Sequence, residues 1–180
     1  SSSSAASDVY KRQIALNQIA TTAELKERLD FSTPYSYTSA QLIVRQEEKR
    51  PLRNLEAFKG HSLGVVQGSS FAEQAQKVEG VDLRNYQDAI QPIKEVADDQ
   101  IDGAVSDRLL VPYAIRESKL PVAEGATFGP VLKLAIPFQK GNPAFQSALD
   151  NALQRVKADG RLSELSKKWF GVDASEAPKQ

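Results

Sequence analysis

The chain has 180 residues with 23 basic and 23 acidic side chains, so its formal net charge is zero. A neutral chain lacks the basic excess that nucleic-acid and anionic-membrane binders use, and we expect neither partner. It has no cysteine, which excludes disulfides and thiol chemistry. No apolar run reaches the roughly 18 residues of a membrane span, and a composition of 41% hydrophobic and 26% charged residues is typical of globular domains.

The N-terminal segment, residues 1–13, is a run of small polar residues followed by a basic patch. It lacks the apolar stretch of a signal peptide and resembles a translated sequencing-library adapter. We predict that this segment is a disordered scar and that the folded chain begins near Ile14. Because the chain contains no methionine, we expect an internal fragment, with any signal peptide or lipid anchor lying upstream.

The first predicted element is a short helix that ends near Leu29. Thr21 has capping-box spacing to the acidic residue three positions later, and Thr22 is an alternative N-cap. A strand at Ala40–Arg45 and a short helix at Asn54–Lys59 are expected to follow.

Strands and helices alternate in the middle of the chain. The predicted strands are Leu63–Val66, Val81–Tyr86 and Ile101–Val105, and the predicted helices are Phe71–Val78, Asp88–Asp99 and Asp107–Ser118. This alternation predicts βαβ units on a parallel sheet, and therefore an α/β fold.

The C-terminal third is predicted to contain one strand and two helices. A turn at Gly129-Pro130 leads into a strand at Val131–Phe138, and the helices are Pro143–Asp159 and Leu162–Phe170. Trp169, near the end of the last helix, is interpreted as a core residue.

Two segments follow predicted strands, where open α/β sheets bind their ligands. The backbone and hydroxyls of Gly68, Ser69 and Ser70 could hold an anion, although Ser69 or Ser70 could equally serve only as an N-cap. The Asp107 carboxylate could pair with an ammonium group or cap the following helix. A zwitterionic amino acid carries both charges, and these two segments would match it.

Other chemistry has little support in the sequence. The single histidine, His61, is predicted to be exposed, and no orienting partner stands at motif spacing. Gly68 does not belong to a phosphate-binding P-loop, because the Gly-Lys-Ser/Thr ending is missing. We therefore expect no catalytic residue, no metal site and no cofactor.

Four segments together resemble the polar amino-acid-binding receptors of bacterial ABC transporters, family 3 of the periplasmic solute-binding proteins. They are Asn17–Ile19 with DFSTPY at Asp30–Tyr35, NLEAFKGHSLGVVQGSS at Asn54–Ser70, IDGAVSDRL at Ile101–Leu109, and KADGRLSELSKKWFG at Lys157–Gly171. Their order and spacing make the resemblance specific, and it covers nearly the whole chain.

The resemblance implies a two-lobed α/β fold of the type II periplasmic-binding class that closes on its ligand. Residues 36–129 would form a complete second lobe, and residues 14–35 with 130–180 a partial first lobe. The hinge strands would lie near Tyr37–Ala40 and Val131–Leu134. We expect exposed apolar surface on the partial lobe.

The resemblance also assigns site residues. Asp107 matches the acid that binds the ligand ammonium, Gly68 and Ser69, with the adjoining Ser70, match the loop that binds its carboxylate, and Gln18 matches a position whose backbone faces the ligand. Two positions depart from the family.

At those positions the family usually has a threonine and an arginine that clamps the carboxylate, and this chain has Ala20 and Leu25. Arg28 and Lys133 are the cations that might replace the arginine.

The function implied is that of a monomeric extracytoplasmic receptor, periplasmic or lipid-anchored, that carries a polar amino acid to a membrane ABC permease. Two alternatives remain open at this stage. One is an enzyme on the same scaffold, such as a cyclohexadienyl or arogenate dehydratase, and the other is the sensing module of a larger receptor.

Overall fold

The computed structural model describes residues 19–177, which form two compact units. The central unit is Ser39–Pro130, and the terminal unit combines the described residues up to Thr38 with those from Val131 onward. Gln18 and the predicted scar at residues 1–13 lie outside the described residues.

The helices and strands alternate through most of the described chain. In chain order they are α1 (Ala23–Arg28), β1 (Leu29–Phe31), β2 (Ser36–Arg45), a 3-10 helix (Leu55–Phe58), β3 (Ser62–Val66), α2 (Ser70–Ala75), β4 (Asp82–Tyr86), α3 (Ile90–Ala97), β5 (Gly103–Asp107), α4 (Val111–Ser118), β6 (Val122–Leu134), β7 (Pro137–Gln139), α5 (Pro143–Ala158) and α6 (Arg161–Phe170). Both boundaries between the units fall inside strands, β2 and β6.

A five-stranded sheet organises the central unit, with the strand order β4-β3-β5-β2-β6. β3 pairs in parallel with both β4 and β5, which confirms the predicted βαβ units. β2 pairs antiparallel to β5, so the sheet is mixed.

Two apolar cores lie against this sheet. Leu42 and Ile43 are consecutive on β2, and because successive side chains point to opposite faces of a strand they enter different cores. Leu42 packs with Phe58 and the small residues of α2, and Ile43 packs with Ile93 and its neighbours on α3 and α4. The central unit therefore has helices on both faces of its sheet.

The terminal unit has a smaller sheet and long helices on its surface. β1 and β7 form an antiparallel pair, with Leu29 opposite Gln139. Helix α5 has no buried residue, and in α6 only Ser166 is buried. Trp169 is 60% exposed and Leu165 51% exposed, so the interpretation of Trp169 as a core residue is wrong and apolar surface is present here, as predicted.

The predicted turn at Gly129-Pro130 is also wrong, because β6 runs through both residues from Val122 to Leu134. β6 is an edge strand in the sheet order, where a proline that cannot donate a ladder hydrogen bond is tolerated. The predicted strand over residues 131–138 is instead the end of β6 followed by the separate strand β7.

Two local predictions are decided by side-chain contacts. Thr22, rather than Thr21, caps α1, and its Oγ1 accepts a hydrogen bond from the Leu25 N–H at 3.3 Å. His61 was predicted to be exposed, but only 33% of its side chain is accessible, because it lies beside Asp102 and Arg50.

Candidate functional site

The two predicted site segments both lie at the carboxyl edge of the central sheet. β3 and β5 pair in parallel with Leu63 opposite Gly103 and Gly64 opposite Ala104, a constant offset of 40 positions. Continuing that register places Gln67 beside Asp107, and neighbouring strands lie about 4.8 Å apart. By this register, Gln67 and Asp107 stand at the same level along the two strands.

We call Gln67–Ser70 the ligand loop. Gly68 has a positive φ of 74°, which lets the chain turn sharply between β3 and α2. Ser69 is the N-cap of α2: its Oγ accepts from the Ala72 N–H at 3.1 Å and donates to the Val66 carbonyl at 2.7 Å. The N-cap interpretation is confirmed for Ser69, and Ser70 is the exposed first residue of the helix.

Helix starts leave N–H groups without intrahelical acceptors, and these carry a partial positive charge. In α2 the Ser69 hydroxyl already satisfies the Ala72 N–H. The N–H groups of Ser70 and Phe71, at the first two helical positions, are therefore the donors that this loop can offer an anion.

Asp107 is the last residue of β5 and is partly buried. Its Oδ1 accepts from the Leu109 N–H at 2.8 Å, and its backbone lies opposite Ala40 of β2. Helix α4 begins only at Val111, and its N-cap residue has no side-chain cap. The predicted helix start at Asp107 and its alternative role as that helix's N-cap are both wrong, because pairing with β2 extends β5 through Asp107.

Two polar residues at this edge were not singled out from the sequence. Gln67 Oε1 accepts from Gln87 Nε2 at 2.9 Å, and the Gln67 N–H donates to the Tyr86 carbonyl at 2.9 Å. Both glutamines directly follow a parallel strand, and that position is the signal that could have identified them.

The terminal unit contains the positions where the chain departs from the family pattern. Ala20 forms an isolated bridge with Leu134, and Leu25 is partly buried on α1. Arg28 and Lys133, the cations considered as replacements, are both exposed.

The opposite, amino-terminal edge of the central sheet carries a network of charges. Arg50 donates to the Glu48 carboxylate at 2.7 and 2.8 Å and to Asp102 Oδ1 at 2.5 Å. The second oxygen of Asp102 accepts from the Ser62 N–H and hydroxyl at 2.8 and 2.9 Å. This network joins the segment after β2 to the starts of β3 and β5.

These contacts shift the titration of both carboxyl groups. The hydrogen bonds from Arg50 lower the pKa of Glu48 to about 2, although its side chain is only 7% exposed. Burial acts to raise the pKa of Asp102, but the hydrogen bonds from Ser62 and Arg50 outweigh it and bring that pKa to about 2. The two groups are therefore ionised at neutral pH and stabilise the fold.

Among residues 19–177, no three histidine, cysteine, aspartate or glutamate side chains cluster as metal ligands would. None of the helices in the same range has the length and apolar character needed to span a bilayer.

The architecture is that of the type II periplasmic amino-acid-binding proteins. The L-cystine solute receptor of Neisseria gonorrhoeae, in its unliganded open conformation, matches with a TM-score of 0.77 over 97% of this chain and 73% of that chain. Its sequence is 22% identical, so this likeness establishes the fold alone. The predicted fold class is confirmed.

The sequence profile of the bacterial extracellular solute-binding proteins, family 3, matches residues 5–172, and the chain belongs to this family. The L-cystine-binding protein TcyJ of Escherichia coli is 28% identical over 170 residues, which are 94% of this chain and 64% of that protein. The ABC transporter arginine-binding protein 1 of the same species is 30% identical over 159 residues, which are 83% of this chain and 62% of that protein. The chain thus spans less than two thirds of the length of either relative.

Proposed function

We propose that the chain is the ligand-binding part of an extracytoplasmic receptor that binds a polar amino acid or related zwitterion and delivers it to an ABC permease. The main support is the parallel pairing of β3 with β5, because the ligand loop and Asp107 both lie at the carboxyl ends of these two strands. Two relatives named for binding cystine and arginine support this class of ligand.

The two groups suit the two charges of an amino acid. The Asp107 carboxylate would hold the ammonium group, and an ammonium–carboxylate contact at about 4 Å near a protein surface has a Coulomb energy of about 4 kcal/mol before desolvation. The N–H groups of Ser70 and Phe71 would hold the carboxylate, with Gly68 allowing close approach.

Leu25 suggests how this receptor differs from its family. Without the arginine at that position, the ligand carboxylate would depend on the ligand loop alone or on another cation. Losing one member of a buried charge pair typically costs about 2–5 kcal/mol of binding. We therefore expect a weak amino-acid receptor, or one whose ligand carries its negative charge elsewhere.

An enzymatic function has weaker support. A hydrolase or dehydratase would need a general acid or base within hydrogen-bond reach of the bound substrate. The histidine of the described chain, His61, immediately precedes β3 and so lies at the amino end of that strand, whereas the candidate site follows its carboxyl end. Receptor function without catalysis is the simpler proposal.

Calorimetric titration of the 180-residue chain with L-cystine, L-arginine, L-glutamine and their amide and N-acetyl forms tests the proposal. We expect one free zwitterion to bind and to stabilise the chain by about 2.7 kcal/mol at a hundred times its Kd. Blocking the ammonium group should remove binding, and Asp107→Ala should weaken it by about 2–5 kcal/mol. Asp107→Asn should keep the hydrogen bond from Leu109 while losing most of the affinity.

Asp82→Asn is the matched control, because Asp82 is an exposed carboxylate on β4 of the same sheet. It should leave the affinity unchanged. Undiminished binding by Asp107→Ala, or an absence of binding to every zwitterion in the panel, would contradict the proposal for this chain.

A further inference from the structure

Helix α2 carries a glutamine with a buried side-chain oxygen one turn beyond the ligand loop. Gln74 lies four residues after Ser70 and therefore on the same face of the helix. Its side-chain Oε1 is buried and accepts no hydrogen bond within the described chain. An unsatisfied buried oxygen costs free energy, so some other interaction must hold the side chain there.

The Gln74 amide lies directly against the backbone of β6 at Gly129. A Cβ on Gly129 would overlap Gln74 Oε1 and lie 3.0 Å from its Cδ. Gly129 also has a positive φ of 71°, which residues with a side chain rarely adopt. Both the conformation and the contact therefore require glycine at this position.

β6 also contributes to the apolar core that α2 shares with the sheet. Phe128, next to Gly129 on β6, packs against the core cluster that contains Ala72 and Ala75 of α2. Adjacent residues of β6 thus contribute an aromatic ring to the core around α2 and a bare backbone to the Gln74 amide.

Gly129 lies two positions before Val131, where β6 enters the terminal unit. One six-residue helix therefore has the ligand loop at its start and a contact with the crossing strand near its end. We propose that Gln74 is a positioning residue: its amide, seated on Gly129, couples the conformation of the ligand loop to that of β6 at the crossing. The consequence for ligand affinity rests on the proposed function, whereas the coupling of loop and strand does not.

A double-mutant cycle tests the coupling. The variants are Gln74→Ala, Gly129→Ala and the double substitution, with Gln76→Ala as a control at the exposed C-cap of the same helix. The first measurement is amide hydrogen exchange of residues 67–72 and 126–130 in the ligand-free chain. The second is the Kd of any amino acid that the parent chain binds.

We expect Gly129→Ala to speed exchange in both segments about tenfold and to weaken binding by a similar factor, whereas Gln76→Ala changes neither. In the double variant the loop should respond much less to Gly129→Ala, because the amide that the new methyl group displaces is gone. Equal effects of Gly129→Ala on the loop with and without Gln74 would overturn the coupling.

Two further outcomes are decisive. If Gly129→Ala does not fold, Gln74→Ala alone must still speed exchange in the loop and in residues 126–130 but not in β4, and unchanged exchange would overturn the coupling. If the parent chain binds no zwitterion, the proposed function fails, and the exchange cycle still decides whether Gln74 couples loop and strand.

Discussion

The central and terminal units differ in how far their helices contribute to a buried apolar core. In the central unit, Phe58 and Leu63 are completely buried between the sheet and its helices. In the terminal unit, α5 has no buried residue and Trp169 is 60% exposed. The central unit thus has helices that contribute to its buried core and also carries the candidate site, whereas the two long helices of the terminal unit bury almost nothing.

The largest expected effect is the difference in stability between variants that remove a side chain from each unit in turn. Phe58→Ala should lower the free energy of unfolding of the central unit by about 3–5 kcal/mol, since it removes a fully buried ring. Leu165→Ala in α6, at a position 51% exposed, should change the stability by no more than about 0.5 kcal/mol. Hydrogen exchange resolved by element would measure both, and a similar cost for the two variants would remove the distinction.

The second prediction concerns the charge network of the central unit. Glu48 and Asp102 have folded-state pKa values near 2, below their ordinary values of 4.5 and 3.8. Because folding lowers these pKa values, their contribution to stability is present above about pH 4.5 and is lost as the pH falls towards 2. Denaturation at several pH values should show this decline in the central unit.

Asp102→Asn should flatten that decline and cost about 1–3 kcal/mol at pH 7, because Arg50 and Ser62 lose their charged acceptor. If the variant and the parent chain lost stability with falling pH in the same way, Asp102 would not be a source of the decline. Asp82→Asn, at an exposed position, is the control and should leave the curve unchanged.

The third prediction concerns the exposed apolar side chains of helix α6. Leu165 and Trp169 are four residues apart on α6, so their exposed side chains share a face of the helix. Trp169→Ser should slow self-association of the chain, as followed by light scattering, while changing stability by no more than about 0.5 kcal/mol. Tyr113→Ser is a comparable change in the central unit, and an equal or larger effect there would place the aggregating surface elsewhere.

The smallest predicted difference compares the N-caps of two six-residue helices, one in each unit. Ser69→Ala should cost about 1 kcal/mol, because the hydroxyl caps α2 and also donates to Val66. Thr22→Ala should cost about 0.5 kcal/mol, since its cap is a longer, exposed hydrogen bond of 3.3 Å. Denaturation curves of the two variants measure both costs. A larger cost for Thr22→Ala than for Ser69→Ala would mean that the terminal unit depends more on its helix cap than the central unit does.

Local chemistry explains what could be predicted from the sequence. Asn54 and Ser69 do cap the turns that their residue types favour, and Gly171 ends the last helix in a left-handed conformation. The alternation of strands and helices correctly predicted the parallel strands β3, β4 and β5. These features depend on residues within a few positions of one another.

Several of the errors involve partners distant in sequence. Asp107 belongs to β5 because β2 lies beside it, and β6 runs through the Gly129-Pro130 segment at the edge of the sheet. His61 is partly covered by Arg50 and Asp102, the latter 41 positions away. The approach of Gln74 to Gly129 could not be predicted from a local pattern either, because neither residue type indicates a contact with a residue about fifty positions away.

The pairing of Leu29 with Gln139 has a consequence for the order of folding. The central unit, Ser39–Pro130, is continuous in sequence, whereas β1 pairs with a strand 110 positions downstream. Contacts between residues close in sequence form faster than contacts between distant ones. We therefore expect the chain to assemble from the middle outward, with the segment that holds the ligand loop and Asp107 becoming native before the terminal unit.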